Sequence, residues 1–112
     1  MSSSRFAKTP KPPYYAVIFT NQSTNVDNDE YSQTADRMVE LAQTMPGFLG
    51  VESTRDNDGL GITVSYWQDE ASIANWKANG EHIQARQKGN QKWYEHYELR
   101  VAKIERAYDG PR

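Results

Sequence analysis

The side chains of this sequence best equipped for chemistry are Trp67, Trp76, Tyr66, His82, Arg86 and Asn21. An indole joins a flat ring, which stacks on another aromatic plane, to one N–H that holds a carbonyl oxygen. Tyr66 adds a ring next to Trp67. A neutral imidazole such as that of His82 accepts or relays a proton near neutral pH. Arg86 carries a permanent charge on a planar set of donors, which suits a phenolate or a peroxide anion. Asn21 ends an apolar run, where a buried amide needs partners and can orient a substrate carbonyl. Each residue also has a plainer use. The tryptophans can supply core volume, His82 beside Glu81 can be a solvated or capping group, and Arg86 has Glu81 and Asn90 nearby as surface partners. Asn21 can simply close a loop, and His96 beside Tyr97 reads as structural.

Several other chemistries have no residues to carry them. The chain has no cysteine, so it has no disulfide, thiolate metal site or cysteine nucleophile. It contains no glycine-rich phosphate loop, paired-histidine metal motif or nucleophile elbow, which argues against nucleotide-dependent redox chemistry. The acidic stretch Asp27-Asn28-Asp29-Glu30 lacks the glycine and distal glutamate of a calcium loop and reads as helix capping. A net charge of −2 without a basic stripe argues against nucleic acid as a partner. Met1 to Pro13 holds basic residues with no apolar run behind them, so it is neither a signal peptide nor a membrane anchor. These features together point to a cytoplasmic protein.

Elements able to position the candidate residues follow from the apolar pattern. The 112 residues suffice for one domain, expected over 14–108 between a disordered tail at 1–13 and a short tail at 109–112. Tyr14 to Asn21 is apolar at both parities, as in a central strand covered on both faces. Tyr31, Ala35, Met38, Ala42 and Met45 mark one face of a helix that Asp27 or Asn28 can cap and Pro46-Gly47 stops. Phe48–Arg55 and Leu60–Trp67 are strands joined by the turn Asp56-Asn57-Asp58-Gly59. In the second of these, Leu60, Ile62, Val64 and Tyr66 take one face, and Gly61, Thr63, Ser65 and Trp67 the other. Asp69 caps a further helix that turns Ile73 and Trp76 inward, Asn79-Gly80 breaks it, and a second segment carries His82, Ile83, Arg86 and Asn90. The last strand is expected over Tyr97 to Tyr108, where the apolar parity switches at Ala102 and suggests a bulge.

This order is the ferredoxin-like βαββαβ pattern, an antiparallel sheet with two helices on one face. The other face is apolar as well and needs a cover, which a second copy supplies in a dimeric α+β barrel. Across Tyr14 to Tyr108 the sequence resembles the antibiotic biosynthesis monooxygenase family. The resemblance is carried by Met45-Pro46-Gly47-Phe48-Leu49-Gly50-Val51-Glu52, by Val64-Ser65-Tyr66-Trp67-Gln68-Asp69-Glu70-Ala71 and by Asn75-Trp76-Lys77-Ala78-Asn79-Gly80-Glu81-His82. It implies a homodimer with a small-molecule pocket between sheet and helices in each subunit. Some members oxidise polycyclic aromatic substrates with dioxygen and no metal, flavin or haem, whereas others bind and cleave haem. Asn21 and Trp76 match an Asn and a Trp of the haem-degrading branch, but Arg86 stands where that branch has its histidine.

The resulting reading is a cofactor-independent monooxygenase acting on a small aromatic or enolisable substrate, with dioxygen as co-substrate. Trp67, Trp76 and Tyr66 would bind the ring system, Asn21 and Arg86 would stabilise the anion, and His82 would relay protons. The alternatives are a haem-binding or haem-degrading protein and a non-catalytic dimer that binds a small hydrophobic molecule.

Overall fold

The computed structural model of the protein describes residues 5–111. Strands β1 (Tyr14–Ser23), β2 (Phe48–Arg55), β3 (Leu60–Trp67) and β4 (Tyr94–Ile104) form one antiparallel sheet in the order β2-β3-β1-β4. Helix α1 (Asn28–Gln43) joins β1 to β2, while α2 (Glu70–Lys77) and α3 (Gly80–Lys88) join β3 to β4. The architecture is the ferredoxin-like α+β fold, its second helix divided in two. The division is local: Asn79 accepts the His82 N–H at 3.1 Å and caps a new helix at the expected break. Asp69 caps α2 in the same way, accepting from the Ser72 N–H at 2.8 Å.

Register sorts the sheet into two faces. Tyr15 pairs with Trp67 and Asn21 with Gly61, so Tyr15, Val17, Phe19 and Asn21 share a face with Gly61, Thr63, Ser65 and Trp67. Tyr97, Leu99 and Val101 of β4 lie on the same side, opposite Asn21, Phe19 and Val17. The helices pack on this face, where Trp67 meets Trp76 of α2 and Arg55 reaches Tyr31 of α1. The opposite face carries Tyr14, Ala16, Ile18, Leu60, Ile62, Val64 and Tyr66, with Leu60 and Ile62 exposed.

Three local expectations need correcting, and one element was not expected. Asp27 occupies the N-cap position of α1 with φ 54°, yet its carboxylate does not cap and instead pairs with Lys92 Nζ at 3.2 Å. β4 begins at Tyr94 rather than Tyr97 and ends at Ile104. Its register slips opposite Gln22 and Ser23, while Val101, Ala102 and Ile104 alternate without a bulge. The parity switch in β4 therefore marks a strand that is apolar first on the helix side and then on the other. Between α3 and β4 the chain makes a π-turn, Gly89–Trp93, that the sequence pattern did not announce; Thr24 fixes it, its N–H donating to the Trp93 carbonyl at 2.9 Å and its hydroxyl to that of Lys92 at 2.6 Å.

Of the segment expected to be a tail, Met1 to Ser4 lie outside the described residues, as does Arg112 at the other end. Ala7 crosses Gly50, where a Cβ would come within 2.8 Å of the alanine's own, and its N–H donates to Glu52 Oε2 at 2.9 Å. Thr9 donates to the Tyr14 hydroxyl at 3.1 Å. These contacts hold the segment against one end of the face opposite the helices.

The corner from α1 into β2 turns on Gly47, whose φ of +85° is left-handed and whose missing Cβ leaves room for the Ser72 side chain. Gly47→Ala is expected to lower unfolding stability by more than about 1 kcal/mol, combining strain with a clash. Urea denaturation checks this, and a loss below about 0.5 kcal/mol would show that the corner adapts.

Candidate functional site

The helix-side face holds two distinct clusters, one at each end of β1 and β3. Around Trp67 the rings pack as a ladder: Phe48 meets Trp67 edge-on at 5.2 Å, Trp76 stacks beside Trp67 at 6.0 Å, and His82 stacks on Trp76 at 4.2 Å. Trp67 is 0% exposed and its indole N–H donates to Ser65 Oγ at 3.0 Å, so both ring and donor are already used within the fold. His82 Nδ1 lies 3.1 Å from the Trp76 carbonyl. A carbonyl only accepts, so Nδ1 carries the proton and Nε2 keeps its lone pair. Burial pushes the His82 pKa below the usual imidazole value, and the nearby Arg86 charge adds to this, against the opposing pull of the Trp76 carbonyl. This end is a packed aromatic stack with a neutral imidazole on its outer side.

The other end is built around Arg55. From the last position of β2 its guanidinium lies across Gly61 of β3, where a Cβ would come 2.7 Å from Cζ. It reaches β1, donating from Nη2 to Asn21 Oδ1 at 2.7 Å and to the Tyr31 hydroxyl at 2.9 Å, and from Nη1 to the Gly59 carbonyl at 2.5 Å. Every one of these partners is neutral, and among the described residues Arg55 forms no ion pair. The nearby acids are committed elsewhere: Glu30 binds Lys88 and Lys92, Asp27 binds Lys92, and Asp56 accepts the N–H groups of Asp58 and Leu60.

Arg55 also fixes the orientation of its neighbours. A guanidinium only donates, so it selects the Asn21 rotamer with Oδ1 toward it and Nδ2 turned away. Asn21 is 2% exposed, and its Nδ2 donates to no other described residue. Tyr31 accepts from Arg55 and, at 3.3 Å, from Tyr94, which leaves its own proton free to be donated. Burial pushes the Tyr94 hydroxyl far above its usual pKa, helped by the contact with Tyr31, so it remains a neutral donor. The buried indole N–H of Trp93, whose ring lies 5.4 Å from that of Tyr31, has no hydrogen-bond partner among the described residues either. The Asn21 amide and the Tyr31 hydroxyl thus stand beside a positive charge that forms no ion pair among the described residues. Next to them the floor is apolar, made of Val17, Phe19, Tyr97, Leu99 and Val101, the last three substantially exposed.

The structure distributes the six sequence candidates over four places. Asn21 stands at the Arg55 end. Trp67, Trp76 and His82 stand together at the opposite end of the sheet, the length of a strand away, or roughly 20 Å at about 3.3 Å per residue. Tyr66 lies on the opposite face, where its hydroxyl donates to Glu52 Oε1 at 2.7 Å; burial, then the Glu52 carboxylate, push its pKa to about 12. Arg86 is exposed on α3, and among the described residues its side chain forms no hydrogen bond or ion pair. A guanidinium stays protonated and has no lone pair for iron, so Arg86 does not fit the axial position of a haem-cleaving site. Among the described residues no group of three or more His, Cys, Asp or Glu is placed to hold a metal ion. Arg55, Tyr31 and Tyr94 were missed by sequence reasoning. One signal pointed to Arg55: a glycine inside a strand, just across a short turn from an arginine, marks a close approach to the backbone.

Fold and site together define an α+β domain whose helix-side face sets an apolar floor beside a guanidinium held by neutral oxygens. The chain belongs to the antibiotic biosynthesis monooxygenase family, whose model matches residues 15–88. It is 54% identical over 100 residues to the uncharacterized protein YqjZ of Bacillus subtilis, covering 89% of this chain and 87% of that one. It is 29% identical over 94 residues to the jasmonate monooxygenase ABM of Pyricularia oryzae, which covers 80% of this chain but only 43% of that protein. Among solved structures, SnoaB, a cofactor-independent oxygenase from Streptomyces nogalater, superimposes with a TM-score of 0.73 at 11% identity, over 84% of this chain and 94% of that one. A protein from Shewanella oneidensis gives 0.74 at 10% identity, over 91% and 100%. These two likenesses concern the fold. No helix among the described residues is long and apolar enough to cross a membrane.

The His82 environment sets a pH dependence with a definite sign. Because the folded state resists protonation there, the unfolded chain takes up the proton first as pH falls, and stability is lost from about pH 6.5 downward. His82→Phe keeps a ring against Trp76 and is expected to lose less stability than wild type between pH 7.5 and pH 5. Urea titrations at both values check this, and an equal loss in the variant would assign the dependence to other groups.

Proposed function

We propose that the protein is a cofactor-independent monooxygenase acting on a small enolisable or aromatic substrate, working as a cytoplasmic homodimer. The reading rests on one observation above all: a guanidinium that among the described residues has no carboxylate partner, seated beside a buried amide whose N–H groups bond to none of those residues, and next to an apolar floor. The substrate's ring lies on Phe19, Leu99 and Val101, and its oxygen faces Asn21 Nδ2 and the Tyr31 hydroxyl. The Arg55 charge favours the deprotonated form of that oxygen.

Among the described residues the groups left free at this end are donors, and none is an unpaired carboxylate or an imidazole. The site therefore stabilises an anion rather than serving as a base, and the substrate proton leaves to water. The carbanion so formed is electron-rich enough to reduce dioxygen itself. Electron transfer and recombination give a peroxide anion on the carbon, which takes a proton back from water; the hydroperoxide then loses water, with the remaining C–H proton removed and the O–O bond broken, and leaves a carbonyl. One oxygen atom enters the substrate and the other leaves as water, with no outside reductant. The family membership and the oxygenases among its relatives support this scheme. The face carrying Leu60 and Ile62 supports the homodimer, since apolar side chains exposed there gain by being covered.

The test is oxygen uptake with a hydroxylated anthrone or a quinol, at matched folded concentrations of wild type, Arg55→Leu and Arg86→Leu. Removing one preorganised donor lowers turnover by about 10²–10³-fold, and Arg55→Leu is expected to fall in that range. Arg86→Leu, which removes a solvent-exposed side chain, is expected to stay within about two-fold of wild type. Wild-type rates in Arg55→Leu would move the site elsewhere. No uptake by the wild type with any such substrate would leave a dimeric binder of small hydrophobic molecules.

A further inference from the structure

We propose that the molecule bound at this site carries a carboxylate, held by Arg55 in the outer cleft while the rest of the molecule lies inside on the apolar floor. The inference rests on the reading of the Asn21 end as the site and adds a substrate class to it. On the outer side of Arg55 is a cleft of about 210 Å³ lined by Ser23, Asn25, Asn28, Tyr31, Ser32 and Arg55. Its lining contains one positive charge and no negative one, and the other five residues all offer neutral hydrogen-bonding groups. Such a cleft matches a small monoanion.

The donor count divides the labour. Both Nη2 protons are taken by Asn21 and Tyr31 and one Nη1 proton by Gly59, so Nε–H and the second Nη1 proton have no partner. Asn21, inside, serves a carbonyl or enolate oxygen, whereas the free guanidinium protons serve a separate anion. A surface arginine without a function is normally free to move or to pair with a neighbouring acid. This one is pinned by three neutral oxygens, over a glycine whose missing side chain makes the space, with Asp27 and Glu30 bound to lysines instead. The two guanidinium protons left without a partner fit the two oxygens of one carboxylate. A phosphate, close to dianionic at neutral pH, calls for more cationic or main-chain donors than this cleft offers.

Binding by isothermal titration separates the cases, with 1-naphthoate, 1-naphthamide and 1-naphthyl phosphate as probes. The acid is expected to bind at least about ten-fold tighter than the amide, the scale of one hydrogen bond to a charged group, and tighter than the phosphate. Arg55→Gln is expected to bring the acid's advantage below about two-fold, while Arg100→Gln, on the opposite sheet face, preserves it. Should Arg55→Gln fail to fold, the wild type alone decides, because the acid's advantage must shrink as salt rises. Equal binding of acid and amide, a preference for the phosphate, a preference that survives Arg55→Gln or resists salt, or no binding of any probe would each overturn the proposal. Oxygen uptake measured in parallel keeps the two readings apart: uptake without acid preference sinks the carboxylate and spares the monooxygenase, and acid preference without uptake does the reverse.

Discussion

A guanidinium laid flat over a glycine, with neutral oxygens on one side and a cleft on the other, is the interaction on which the functional reading depends. It requires three strands in register. Arg55 must end β2 opposite Gly61 of β3, and Gly61 must sit opposite Asn21 of β1. A one-residue slip in either pairing would send one of the three to the other face. The Asp56-Asn57-Asp58-Gly59 turn holds that register, with the Asp56 carboxylate accepting two main-chain N–H groups at 2.9 Å and Gly59 taking φ +91°. The charge is then kept available because lysines from α3 and the π-turn bind the acids at the start of α1. Left free, those carboxylates would compete for Arg55.

The opposite end of the same sheet solves a different problem. Two small helices must be anchored there without a long apolar stripe, and the Phe48, Trp67, Trp76 and His82 ladder does this, each ring pair adding about 0.5–1.5 kcal/mol beyond its buried area. Complete burial of Trp67 and commitment of its N–H to Ser65 fit a structural part. Between the two ends, Thr63 and Ser65 keep the sheet surface small-sided, and β4 turns Leu99 and Val101 toward the helix side without burying them. Packing is concentrated at one end and polar binding capacity at the other.

Much of this was legible in the sequence, and for identifiable reasons. β2, β3 and the turn between them follow from alternation and turn chemistry, and the break at Asn79-Gly80 follows from a residue that caps one helix where another ends. The inward face of α1 follows from its spacing. What escaped depended on partners distant in sequence. After Tyr94, β4 runs through the polar Glu95 and His96 at the sheet edge, and these two broke the apolar pattern that would have marked its start. The Asp27 cap failed because Lys92, far along the chain, offers its carboxylate a charge. Asn21 was singled out as the end of a buried strand, but its partner Arg55 and the Tyr31 hydroxyl that shares Arg55 come from other elements, and Arg55 looked like an ordinary charge before a turn. Arg86 drew attention through its permanent charge and an aligned position, and its side chain stands in solvent. Tyr66 and Trp67, adjacent in sequence, lie on opposite faces because a strand alternates.

The central claim is that the Arg55 end stabilises an anion, and the ionisation of a bound ligand tests it most directly. A phenolic probe such as 2-naphthol, bound at saturating protein and titrated by its phenolate absorbance, should show a pKa below its value in water. That shift should vanish in Arg55→Leu. A bound pKa equal to or above the free value in the wild type would contradict the account, because a site that desolvates its ligand without offering charge favours the neutral phenol.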